Sequence, residues 1–111
     1  MGCIFCKIVN NEIPSTKVFE DDAVVAFEDI QPQAPVHVVV IPKKHVANIT
    51  DLKDSAVWFS MLNAAQQAAK IKGIDKTGFR LVINSGKHGT QIIDHVHLHV
   101  MGGRQLEGQM G

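Results

Sequence analysis

His95-Val96-His97-Leu98-His99-Val100 alternates imidazole with aliphatic side chains. In an extended strand successive side chains point to opposite faces, so the pattern predicts His95, His97 and His99 on one face and Val96, Leu98 and Val100 on the other. The aliphatic face asks for a core. Same-face residues stand about 7 Å apart, so three imidazoles line up within reach of one small ligand. Outward from this strand, expected over His95–Met101, lies the polar turn Ser85-Gly86-Lys87-His88-Gly89-Thr90, and before it a strand over Gly78–Asn84. Asp51–Lys72 reads as a helix. Trp58, Met61, Leu62, Ala65, Ala68 and Ala69 recur at spacings of three and four as its core stripe, and Gly73 stops it. Val36–Ile41 is strongly β-branched and predicts a central strand buried on both faces. Lys17–Glu20 and Val24–Glu28 flank Asp21-Asp22 as a hairpin. Ile4–Val9 is long enough for one or two helical turns. Strands, helix and strands with mostly short connections predict an α+β fold: an antiparallel sheet of about five strands, one long helix against it and a short N-terminal helix.

The chain has 111 residues, which predicts a single domain over 1–111. Its 45% hydrophobic and 20% charged content fits a globular protein and argues against disorder. Eleven basic residues balance eleven acidic ones, so the net charge is zero and nucleic acid or an anionic membrane is not an expected partner. No apolar run approaches the ~20 residues of a membrane span, and the start shows no basic-then-apolar leader, so a cytoplasmic location is the expectation. Two cysteines, Cys3 and Cys6, form a Cys-x-x-Cys half-site, open at this point to metal binding or ordinary packing.

Imidazole at neutral pH can bind a metal, move a proton or attack an electrophile. Three in a row on a solvent face would serve stability poorly. A three-histidine catalytic zinc is one reading. The other is nucleophilic attack on a phosphoryl group, with neighbouring imidazoles donating to its oxygens. The glycine-containing turn before the strand suits the second, because its backbone N–H groups can approach an anion closely.

With Met101, this strand resembles the His-φ-His-φ-His-φ-φ motif of the histidine triad (HIT) superfamily. Glu12-Ile13-Pro14, Phe27-Glu28-Asp29-Ile30, Pro32-Gln33-Ala34-Pro35, Val40-Ile41-Pro42-Lys43-Lys44-His45, Asn84 and Gly102-Gly103-Arg104 are similar to segments of its nucleotide-binding, Hint-like branch. The resemblance spans essentially the whole chain. It implies a homodimer with sheets joined across the interface, and hydrolysis of nucleoside 5′-phosphoramidates, purine mononucleotides linked to an amine, through a covalent nucleotidyl-histidine. His97 would be the nucleophile. His99 would contact phosphate and leaving group, with His95 and His37 completing the catalytic set and His37 supporting the nucleophile. Asn84 would bind the α-phosphate and Asp29 the ribose hydroxyls. Ile4, Phe5, Ile8, Phe27 and Ile30 would form the base pocket, and Gly89, Thr90 and Gln91 complete the nucleotide-binding set. The transferase branch carries Gln where His99 stands, which favours hydrolysis.

The same resemblance implies a structural zinc held by Cys3, Cys6, His45 and His95, a closed Cys₂His₂ set. No organic cofactor is expected. Two positions depart from the family pattern. Thr90 stands where glycine is common, and Ile92 where a serine often donates to phosphate or leaving group. Loss of one such donor costs roughly 10²–10³ in rate, which predicts a slower enzyme than its relatives. Two other readings remain: a nucleotide-sensing or interaction module with little turnover, and a dinucleoside polyphosphate hydrolase. The Pro-Gln-Ala-Pro and Gly-Gly-Arg segments speak against the latter.

Overall fold

The computed structural model describes residues 2–110. The elements are α1 (Ile4–Val9), β1 (Lys17–Glu20), β2 (Val24–Glu28), β3 (Val36–Pro42), a 3-10 turn (Ile49–Asp51), α2 (Ser55–Ile71), β4 (Phe79–Val82) and β5 (Leu98–Gly102). Antiparallel pairing orders the strands β1-β2-β3-β5-β4. The first hairpin is set by Asp21, whose Oδ1 accepts from the N–H groups of Ala23 and Val24 at 2.8 and 2.9 Å.

The two faces of the sheet are covered differently. Val24, Ala26, Val38, Val40, Leu98 and Val100 pack against Met61, Ala64, Ala65, Ala68 and Ala69 of α2. Four alanines let the helix lie close to the strands. On the other face Val25, Phe27, Val39 and Ile41 meet Phe5 and Ile8 of the short α1, with Cys3, Val9, Ile13 and Ile93 packed around them. β3 is therefore buried on both faces, as its composition predicts. The thinly covered α1 face is also the face of the triad.

Three expectations need correction. The long helix begins at Ser55 rather than Asp51, because Asp54 caps it by accepting from the Ala56 N–H, and Asn48 caps a separate 3-10 turn before it. Leu62, read as core, is 44% exposed, and Ala64 occupies the buried position instead. The last strand begins at Leu98 rather than His95. The β3–β5 register runs from Val36↔Gly102 to Val40↔Leu98. Its continuation would set Val96 opposite Pro42, which has no N–H to give, and the ladder stops short of it. Among the described residues no helix is long and apolar enough to cross a membrane.

Candidate active site

The end of the ladder decides how the three histidines are used. His95, His97 and His99 all lie on the α1 face, since Phe5 meets the rings of His95 and His97 edge-on at 5.8 and 5.1 Å and His97 meets His99 at 5.0 Å. They do not converge on one point. His95 is fully buried, its Nε2 donates to the Pro42 carbonyl at 2.8 Å, and its Nδ1 faces Cys3 and Cys6. A three-histidine zinc is thus not formed. The triad is divided, with His95 in a sulfur-lined site and His97 and His99 in another.

Backbone partners fix which nitrogen of each ring carries the proton. The His95 carbonyl accepts at 2.8 Å from His97 Nδ1, so that nitrogen bears the hydrogen and Nε2 keeps its lone pair. His37, 3% exposed on β3, takes the Gln33 N–H at Nδ1 (3.0 Å). Its Nε2 is then the donor, to His99 Nδ1 at 2.9 Å with Asp29 Oδ2 at 3.4 Å. His99 is left with Nε2–H. One nucleophilic lone pair and one donor therefore come from adjacent rings. His37 touches His99 rather than His97, so the support it supplies goes to the third histidine of the motif.

Burial keeps this relay neutral. It pulls His99 down to about 4, with His97 and His37 acting in the same direction and Asp29 opposing. Burial also lowers His37 against the pull of Asp29, and lowers His95, helped by His45 and His97. Asp29, His37 and His99 are spaced closely enough to hold a metal ion. The Gln33 N–H argues otherwise, because ligation through Nε2 would demand that His37 become an imidazolate. The group is a hydrogen-bond relay.

The other residues expected at a nucleotide lie on α1, at and just beyond the end of β2, just past β4, and in the glycine turn. Asn84 lies two residues past Val82, the end of β4, which pairs with His99, and Ile83 between them packs against the α2 core. Asp29 Oδ1 accepts the Gln31 N–H at 2.8 Å, and each carboxylate oxygen retains a lone pair. Phe5, Ile8 and Phe27 are buried, whereas Ile4 (39%) and Ile30 (91%) are exposed. Only the latter two present much surface for a base to cover.

In the turn, a Cβ on Gly89 would sit 2.4 Å from the Ser85 carbonyl oxygen, so the loop admits only glycine there. Thr90 has φ 60°, a region costly for a β-branched residue, and its hydroxyl donates to the Gly89 carbonyl. Gln91, expected at the nucleotide, is a brace. Its amide accepts from Gly86 N–H and donates to the carbonyls of Ala47 and Ile93. Ile92 is 91% exposed and offers no donor. The carbonyls of Pro42 and His95 and the N–H of Gln33 carry no side-chain signal, and sequence reading misses them.

The second site gathers Cys3, Cys6, His45 and His95, with all four ligand atoms within 4.8 Å of one another. Cys3 Sγ lies 3.4 Å from His95 Nδ1, and Cys6 Sγ lies 3.2 Å from His45 Nδ1 and 3.6 Å from His95 Nδ1. Zn–S bonds of ~2.3 Å and Zn–N bonds of ~2.0–2.1 Å at a tetrahedral angle place S and N about 3.5 Å apart. The observed spacings fit. The His95 Nε2–H to Pro42 bond leaves Nδ1 as the free ligand, as metal-bound histidines are usually held. Burial and the neighbouring Cys3 raise the Cys6 thiol above its ordinary value, an effect a bound cation would oppose.

Known proteins resemble this chain over nearly its whole length. The purine nucleoside phosphoramidase of Escherichia coli (strain K12) is 41% identical, covering 93% of this chain and 88% of its own. A 14 kDa zinc-binding protein of Brassica juncea is 45% identical, covering 97% and 98%. A HIT family hydrolase of Legionella pneumophila superposes with a TM-score of 0.95 at 46% identity, covering 99% of this chain and 100% of that one. A histidine triad protein of Clostridium difficile gives 0.94 at 46%, covering 99% and 97%. With these likenesses, and with the family model of the HIT domain matching residues 10–106, the chain belongs to the HIT domain family.

Proposed function

We propose that this chain hydrolyses nucleoside 5′-phosphoramidates in two steps. The lone pair of His97 Nε2 attacks phosphorus, forming an N–P bond as the P–N bond to the amine breaks. The amine leaves with a proton from solvent. Water then attacks the nucleotidyl-histidine, the N–P bond breaks, the mononucleotide departs and a proton returns to solvent. His99 Nε2–H donates to a phosphoryl oxygen or the leaving group, and the His37 relay keeps that hydrogen in place. Asn84 holds the α-phosphate, Asp29 the ribose hydroxyls, and Ile4 and Ile30 flank the base over Phe5. The observation that carries this reading is the pairing of tautomers, a bare His97 Nε2 beside a protonated His99 Nε2. The phosphoramidase relative supports the substrate class.

Cys3, Cys6, His45 and His95 would hold structural zinc, a reading supported by donor spacing and by the zinc-binding relative. When bound, the ion would tie α1 to the end of β3 and the start of the triad. A homodimer is supported by the open edge of β4, where Phe79 (36%) and Leu81 (40%) lie exposed, and by Phe59 (73%) and Leu62 (44%) on α2. Turnover of a fluorogenic nucleoside phosphoramidate tests the function. Wild type turns over, and His97→Ala loses at least ~10²-fold. Binding without turnover by wild type would favour a nucleotide sensor instead.

A further inference from the structure

We infer that Cys3 and Cys6 form a thiol switch that acts on the nucleotide site through α1 and His95. The inference rests on the nucleotide-site reading above. Two connections run from the sulfurs to His97. The first is α1 itself. Cys3 caps this six-residue helix, taking the Cys6 N–H on its sulfur at 3.3 Å, and Phe5 lies between the two cysteines in sequence. Phe5 packs edge-on against both His95 and His97, so the element that carries the thiols also carries the wall of the nucleophile. His97 itself is only 6% exposed, and small movements of α1 change access to it. The second connection is His95. Its Nδ1 faces both sulfurs while its carbonyl holds His97 Nδ1–H, which makes it a positioning residue for the nucleophile.

Both thiols are partly exposed and free. Oxidation by a peroxide converts the two sulfurs to a disulfide: one S–S bond forms, and hydrogen peroxide takes their two electrons and becomes two waters with two protons, which come from the S–H bonds of the free thiols or, where a bound ion had displaced them, from solvent as the ion is released. The new bond is about 2.05 Å long and needs Cβ atoms roughly 3.5–4.5 Å apart. Forming it draws the cap of α1 toward Cys6 and takes both sulfurs away from His45 and His95, which removes two of the four donors at once. The thinly anchored α1 then loses its tether, and Phe5 shifts over His97.

The test is calorimetric titration with AMP of the reduced, zinc-loaded protein, of the same protein after hydrogen peroxide, and after dithiothreitol with zinc. Disulfide formation is read as loss of two hydrogens by mass spectrometry, and circular dichroism checks that the sheet persists. Oxidation is expected to weaken AMP binding about tenfold, within the usual range of coupling between sites, and reduction restores it. Cys3→Ser cannot form the bond, and its AMP affinity is expected not to respond to peroxide. His45→Ala, which removes an exposed ligand without oxidation, is expected to weaken AMP in the same direction. The inference is overturned if quantitative disulfide leaves AMP affinity within twofold, if Cys3→Ser responds as wild type does, or if peroxide leaves both thiols free. Absence of AMP binding by the reduced, loaded protein would overturn the nucleotide-site reading itself, and this inference with it.

Discussion

In the proposed reaction the His95 carbonyl leaves His97 Nε2 free to act as the nucleophile, and His37 sets His99 as the donor. Substitution of His37 therefore acts at a distance. His37→Ala frees His99 to reverse its tautomer, and kcat is expected to fall about tenfold or more with KM little changed, in line with the loss of a positioned donor. Steady-state kinetics on the phosphoramidate checks this. The low value of His99 has a pH consequence. The folded state resists protonation down to about pH 4, whereas an unfolded histidine protonates near ~6.5. Below ~6.5 the unfolded chain binds the extra proton, so stability falls as pH drops from ~6.5 toward 4 and is unaffected by this group above it. Proton NMR is expected to show His99 untitrated at pH 5.5, and His99→Gln to flatten the decline of Tm between pH 6.5 and 4.5. The shared face of the histidines was legible in His95–His99, because alternation is written in side chains. Their division into two sites was not, because it depends on backbone atoms of Pro42, Gln33 and His95.

At the scale of elements, β5 and the loop before it differ in how well they could be read. Leu98 and Val100 face α2 as the period-two pattern requires. The strand's true start was hidden, since it reflects what Pro42 on β3 cannot donate. The loop over residues 85–90 was legible as a glycine turn, and its brace was not: Gln91 is an ordinary polar residue until the fold brings Ala47 beside it. Gln91→Ala is expected to loosen this loop, costing about 1 kcal/mol in thermal unfolding for the half-buried carbonyl partners it abandons. Ile92 stands exposed without a donor, so Ile92→Ser is expected to raise kcat, by up to ~10² where the hydroxyl reaches phosphate or leaving group. No gain would show that the enzyme is not limited by that missing contact.

The whole molecule was the most legible level. The antiparallel sheet and the helix against it follow from apolar patterning, though the placing of β5 between β3 and β4 does not, and Val36–Ile41 announced a strand covered on both sides. The helix's buried stripe was misread at Leu62, since a period of 3.6 leaves neighbouring positions near the edge of the stripe ambiguous. That error has a use. Leu62 and Phe59 on α2, and Phe79 and Leu81 on the open β4 edge, are exposed apolar residues that a dimer would cover. Leu81→Lys is expected to halve the mass seen by light scattering while changing monomer stability little, as exposed substitutions usually do. The central claim is that His97 becomes covalently nucleotidylated, and rapid mixing with a phosphoramidate followed by alkaline quench and intact-mass analysis tests it most directly. The account predicts one nucleotidyl group per chain, located on His97 and absent from His97→Ala. Full turnover with no adduct, or an adduct on another residue, would contradict it.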